Sequence, residues 1–292
     1  MKRRILLLAV AIAVITVLIC WYAASKRTEN TNFVMGSVLT QTIWTQPLRP
    51  SVCGSITEAI EQLEDDLLNA EQAPALALEI MDASGGAFDP WLGAIVKLWN
   101  INGEPYLPTQ EEIDQALERR ALDLGAYGKG AACDEALRIL QGSCKAAVVN
   151  LGGNILTYGQ KPWGKPFQIA LRDPRGGPNE TIGTFTLRGT RFISTSGSYE
   201  KFFEQDGQKY HHIFDPQTGY PAEREPGLIS VTVISQGKNG GATGDAVSTA
   251  CFVLGYEASQ ELLSEYHCDA LFIYENGDIR SAGQVMEYWS PA

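Results

Sequence analysis

With 292 residues, 45% of them hydrophobic and 20% charged, the chain is globular in composition and long enough for one large domain or two small ones with a real core. Its formal net charge is −11; without the first 24 residues, which hold Lys2, Arg3 and Arg4, 20 basic residues face 34 acidic ones. That excess excludes a nucleic-acid partner, and a phosphate ligand would have to be met by metal or helix dipoles rather than by a basic field.

Residues 5–24 carry no charge, and twenty such residues are long enough to span a bilayer. Lys2, Arg3 and Arg4 stand before them, Lys26 and Arg27 after, and the positive-inside rule slightly favours the N-terminus in and the remainder out. A cleaved signal peptide is the rival. Cys20 raises lipoprotein processing, which the bulky Ile19 before it disfavours. The reading is therefore an anchor or signal segment over 1–27 at the cell membrane, a polar linker over 28–32 and one extracytoplasmic domain over 33–292. Cys53, Cys133, Cys144, Cys251 and Cys268 are odd in number and include no C-x-x-C pair, so they read as buried reduced thiols.

Residues 33–44 alternate around Gly36 and predict a strand. Met35-Gly36 would set a flexible thioether beside a backbone that a ligand can approach, or serve the core alone. Ser55 to Glu58 has the form of a capping box, with Ile56, Ile60, Leu63 and Leu67 in one helical stripe. A second helix is expected over 74–82. Next, 84–90 (SGGAFDP) reads as a tight, exposed loop, either a plain turn or a donor of backbone N–H groups with Asp89 as an acceptor. Helix follows over 92–99, and Thr109 to Glu112 forms another capping box. Gly125, Gly128 and Gly130 around one lysine resemble a phosphate-approach loop feeding a helix over 131–141, though without Walker A spacing.

Strands are expected over 146–158 (around a Gly-Gly-Asn turn), 167–171, 184–187, 191–197 and 228–234. A short helix over 259–266 and a hairpin at Asn276-Gly277 follow. Residues 211–221 (HHIFDPQTGYP) hold two of the three histidines beside two turns, which makes His212 either structural or a catalytic base. In 240–254 a glycine-rich approach ends at Thr243, a plausible N-cap, and a helix opens at Gly244-Asp245. Asp245 and Thr249, four residues apart, share one face of its first turn. Their hard oxygens suit Mg²⁺ with substrate phosphates, and an ordinary capped core helix is the alternative. Paired strands with helices at irregular intervals give an α+β class.

Together, Met35-Gly36-Ser37, 84–90, 123–134, 149–155 (VNLGGNI), 212–221 and 244–249 stand in the order of the FAD:protein FMN transferase (ApbE) family, which the chain resembles from about Phe33 to its end. The resemblance implies mixed, largely antiparallel sheets with packed helices, here after one N-terminal transmembrane helix. It implies FAD as substrate and transfer of FMN to a threonine hydroxyl of a target flavoprotein, such as a membrane redox-pump subunit, with AMP released and Mg²⁺ required; Mn²⁺ suits the same donors. By position, it makes Asp245 and Thr249 side-chain metal ligands, Gly128 a carbonyl ligand, and His212 the transfer histidine, with Asp245 as an alternative proton acceptor. Met35, Ala87, Phe88, Asp89, Gly125 and Ala131 match FAD-contact positions, and Asp215 and Thr218 the substrate loop. Two departures stand out: the segment between Met35 and Ser84 is shorter than usual, and Ala131 stands where tyrosine is common. The rival readings are an FAD pyrophosphatase yielding FMN and AMP, and an FAD-storage protein without turnover.

Overall fold

The computed structural model describes residues 2–23, 25–46 and 49–292, leaving out the side chains of 2, 3, 6, 18 and 21–23. Met1 and Ala24, both within the expected segment over 1–27, lie outside the described residues. Helix α1 (Lys2–Ala23) precedes strands β1 (Lys26–Val34) and β2 (Ser37–Thr45). Helices α2 (Cys53–Leu68), α3 (Ala75–Ala83), α4 (Gly93–Trp99), α5 (Gln110–Arg119) and α6 (Gly125–Leu140) come next. Then follow β3 (Ala146–Leu151), β4 (Asn154–Gly159), β5 (Phe167–Arg172), β6 (Thr181–Leu187), β7 (Arg191–Gly197), β8 (Phe202–Gln205), β9 (Gln208–His211) and β10 (Leu228–Ser235). The chain closes with α7 (Gly240–Leu254), α8 (Gln260–Glu265), β11 (Asp269–Tyr274), β12 (Ile279–Ala282) and β13 (Trp289–Pro291).

The fold is α+β, and the named strands pair antiparallel: an eight-stranded sheet in the order β1-β2-β3-β4-β7-β10-β11-β12, a three-stranded sheet β13-β6-β5, and the hairpin β8-β9. Side chains alternate across the large sheet. Phe192 of β7 packs toward Ile56 and Ile60 of α2 and Ala132 and Ala136 of α6, while its neighbour Ile193 faces Phe167 and Phe185 of the small sheet. In β11, Phe272 lies among residues of α7, and Leu271 and Ile273 point the other way. The sheet is thus covered on both faces, which is why β10 is buried at every position instead of alternating with polar residues.

Several expectations change. Residues 28–32, expected as a linker, belong to edge strand β1, paired with β2 throughout. The strand expected over 33–44 is the end of one strand and most of the next. Met35 and Gly36 form the two-residue turn between them, both with positive φ (50° and 62°) as a type I′ hairpin requires. Helix α2 starts at Cys53, ahead of the Ser55 box, and has no side-chain cap. The Thr109–Glu112 box is present at α5. The glycines of 125–130 lie inside α6, and α7 begins at Gly240, so Thr243 is not its cap and Asp245 is past the first turn. In the expected exposed loop over 84–90, Ala87 and Phe88 are core residues. The cysteines beyond α1 are unpaired, and all but the half-buried Cys144 are buried.

Among the described residues, no helix is long and apolar enough to cross a membrane. The described apolar side chains of α1, Ile5, Leu7 and Ile19 among them, are exposed and belong to no core.

Candidate active site

The site is built where α6 crosses α7 backbone to backbone. A Cβ on Gly130 would lie 2.1 Å from the Gly241 carbonyl oxygen, and one on Gly241 would lie 2.2 Å from that of Gly130. No side chain fits at either position, so two glycines permit an approach that any other pair would block. The approach brings the Asp134 carboxylate of α6 onto the first N–H groups of α7, accepting from Gly241 (3.0 Å) and Ala242 (2.8 Å). The α7 N-terminus is therefore capped by protein. Burial lifts the Asp134 pKa to about 6, against the lowering effect of those two N–H donors.

Asp245, on the next turn of α7, is 5% exposed. Its Oδ2 accepts from the Gly130 N–H (2.8 Å) and its Oδ1 from the Asn154 side-chain amide (3.2 Å). Asn154 is 2% exposed, and its own Oδ1 has no protein partner. Thr249, one turn on, donates to the Asp245 carbonyl (3.3 Å), and its hydroxyl lies 3.1 Å from that of Ser196. Gly128 precedes Gly130 by two residues. A Cβ there would come within 3.2 Å of Met35 Cε and of Leu67 Cδ1, so glycine lets the Met35 thioether press onto α6. The Met35 N–H in turn donates to Glu64 of α2 (2.8 Å). Gly125 opens α6, donating to Asp123 (2.8 Å), and Ala131 packs half-buried beside the core.

His212 follows β9. Its N–H donates to the Lys201 carbonyl (3.1 Å), and its Nδ1 lies 3.2 Å from the same oxygen. A carbonyl only accepts, so Nδ1 carries the proton and Nε2 keeps its lone pair. Burial first, then the charges of Lys201, His211 and Lys129, push its pKa down to about 4. The ring is therefore neutral at pH 7. Lys129, the neighbour of Gly128 on α6, adds a smaller part of that positive charge. His211 is structural: its Nε2 faces the Ala222 carbonyl (3.2 Å), and its ring stands edge-on to Phe252.

The remaining expected residues hold loops. Ala87 and Phe88 pack with Tyr127, Ile213 and Ala246, and their N–H groups, expected as ligand donors, are taken by Ser84, through its carbonyl (3.3 Å) and its hydroxyl (3.1 Å). Asp89 is gripped by Arg120, both oxygens at 3.0 Å, and also accepts from the Trp91 N–H. A cavity of about 300 Å³, lined by Met81, Gly85, Gly86, Asp89 and Arg120, opens beside that pair. Asp215 is bound by Arg224 at 2.6 and 3.0 Å, and Thr218 is exposed at the loop tip. Lys129, Asp134 and Asn154 sit inside stretches the sequence marks out, yet only the fold shows what they touch. Lys201, Arg120 and Arg224 carry no local signal.

The model of the ApbE family matches residues 72–272. The chain is 36% identical over 249 residues to an FAD:protein FMN transferase of Treponema pallidum (strain Nichols), covering 72% of this chain and 67% of that one. It is 36% identical over 217 residues to another from Klebsiella pneumoniae (strain 342), covering 66% and 65%. The matched part thus spans about two thirds of the length of these relatives. Among solved structures, an ApbE protein from Thermotoga maritima superposes with a TM-score of 0.74 at 27% identity, over 90% of this chain and 99% of that one. The apo flavinyl transferase ApbE of Pseudomonas stutzeri, 24% identical, shares the fold with a TM-score of 0.73 over 90% and 97%.

Proposed function

The chain belongs to the ApbE family, and from that premise we propose that it is an FAD:protein FMN transferase, moving FMN from FAD onto a threonine hydroxyl of a target protein and releasing AMP. The observation that carries the reading is the glycine-paired α6–α7 crossing. It presents Asp245 and Thr249 one turn apart, on the helix whose partner α6 carries Gly128 and Lys129.

The donor set fits Mg²⁺, and Mn²⁺ with it. The Asp245 carboxylate, the Thr249 hydroxyl and the Gly128 carbonyl are hard oxygens, and the unpartnered Asn154 Oδ1 beside Asp245 lacks a donor that a hydrated cation supplies. When bound, the ion neutralises charge on the transferred phosphoryl group and on the departing AMP. The protein's own residues do the rest. Lys129 and Lys201 add positive charge beside His212. The threonine oxygen attacks the phosphorus on the riboflavin side, the bond from that phosphorus to the AMP phosphate breaks, and the threonine proton passes to His212 Nε2. Both Asp245 oxygens are already engaged by Gly130 and Asn154, so the proton is assigned to His212.

In the same proposal α1 is a membrane anchor and the body lies on the extracytoplasmic side. The support is in the sequence: residues 5–24 carry no charge, and about twenty such residues are enough to span a bilayer. The acceptor is then a flavoprotein at that membrane, such as a redox-pump subunit. The test incubates the full chain with FAD, Mg²⁺ and a target domain bearing the acceptor threonine. Adduct on that threonine by mass spectrometry, with AMP formed and both lost on chelation, supports the transferase. AMP and free FMN without adduct would favour the pyrophosphatase, and bound FAD without products the storage reading.

A further inference from the structure

We propose that the corner of the large sheet where β1 begins is a seat for an anionic lipid surface, holding the domain against the bilayer beside the exit of α1. Segments distant in sequence meet there. The β1–β2 register sets Arg27 opposite Trp44. The Arg27 guanidinium lies 5.9 Å, and the Lys161 ammonium 5.4 Å, from the Trp44 ring. Lys161, Trp163 and Lys165 form the turn after β4, and Arg188 donates to the Gly164 carbonyl (2.6 Å). The Gln160 N–H donates to the Lys145 carbonyl (3.0 Å).

Stretches 25–27, 143–145, 159–166 and 187–191 contain Lys26, Arg27, Lys145, Lys161, Lys165, Arg188 and Arg191, and no Asp or Glu, in a chain where acidic residues outnumber basic ones 34 to 23. The nearest acid in sequence, Glu29, pairs with Arg27. The cations crowd one another: after burial, the charges of Arg27 and Lys165 are what lower the Lys161 pKa.

Trp163 stands out from this patch. It is 77% exposed, and its φ of 63° is a backbone state that few non-glycine residues adopt. An amphipathic indole among lysines and arginines suits the headgroup level of a bilayer, and each nearby cation adds about fivefold to partition onto an anionic surface. Lipid is favoured over an acidic protein by continuity: the uncharged run 5–24 ends one residue before Ser25-Lys26. The choice of lipid over protein rests on the proposed anchor, and the test reads seat and anchor separately.

The full chain is reconstituted into vesicles of neutral or partly anionic lipid carrying brominated acyl chains, and tryptophan quenching is read in wild type, Trp163→Phe and Trp21→Phe. The expected result is a Trp163 component in anionic vesicles, absent in neutral ones. It falls at least about twofold in high salt and is lost in Lys161→Gln/Lys165→Gln/Arg188→Gln. Equal quenching of wild type and Trp163→Phe in anionic vesicles overturns the proposal and leaves an acidic protein as the partner for the patch. A Trp163 component indifferent to headgroup charge overturns it too. A Trp21 component alone keeps the anchor and removes the seat; a Trp163 component alone keeps the seat and removes the anchor.

Discussion

His212 is the residue whose chemistry depends most on its surroundings. The Lys201 carbonyl fixes its tautomer, and burial with neighbouring positive charge keeps it neutral to about pH 4. A free histidine would lose its base form near pH 6.5. The acid limb of kcat/KM assigned to His212 should therefore fall with a midpoint near 4, and a limb at 6.5 that vanishes in His212→Gln would show the ring to be freely titrating. Replacing it by alanine should slow transfer by about 10²–10⁴, measured as initial rate of adduct formation. The residues proposed for this chemistry stand in short motifs that the sequence shows: Asp245 with Thr249, and His212 before its turns. Lys201 and Arg224 do not, because each acts on a partner nine or more positions away through contacts that only the fold creates.

At the scale of elements, local reading worked where an element carries its own signal and failed where a neighbour decides. The α5 capping box and the Asn276-Gly277 hairpin needed nothing beyond their own residues. The glycines at 125, 128 and 130 argued for a loop, since glycine weakens a helix by about 1 kcal/mol against alanine. Here Gly130 permits the crossing with α7 and Gly128 the Met35 contact, gains invisible along one chain. Gly130→Ala tests this. The new Cβ must move the Gly241 backbone, so the variant should be less stable by about 1–3 kcal/mol in urea unfolding and should bind Mg²⁺ more weakly by titration calorimetry. Wild-type stability and affinity together would mean that the close approach is dispensable. Strand β1 misled for the opposite reason: its polar residues read as a linker, but an edge strand is held by pairing and needs little apolar surface of its own.

At the scale of the molecule, the α+β class could be read from paired strands and irregular helices, while the strand order could not. Joining β4 to β7 and β7 to β10 depends on which faces are left uncovered once the helices and the small sheet have packed. That packing also sets acid sensitivity. Burial depresses both His211 and His212 to about 4, whereas the unfolded chain titrates near 6.5. Between those values the unfolded state binds protons that the folded histidines refuse, so their contribution is full above about pH 6.5 and is lost as pH falls toward 4, offset in part by Asp134, whose pKa of about 6 makes the folded state take up a proton first. The loss from buried His211 is about 3 kcal/mol, and His211→Gln should flatten that part of the stability–pH curve in denaturant titrations; an unchanged slope would remove the cause. The account as a whole stands on the α6–α7 crossing as the place where the transferred phosphoryl group is held. Its most direct test is the amount of FMN–threonine adduct formed by Asp245→Ala across a Mg²⁺ titration, with folding checked by its melting curve. A folded variant giving no adduct at any Mg²⁺ concentration is the predicted result; a folded variant as active as wild type would contradict it.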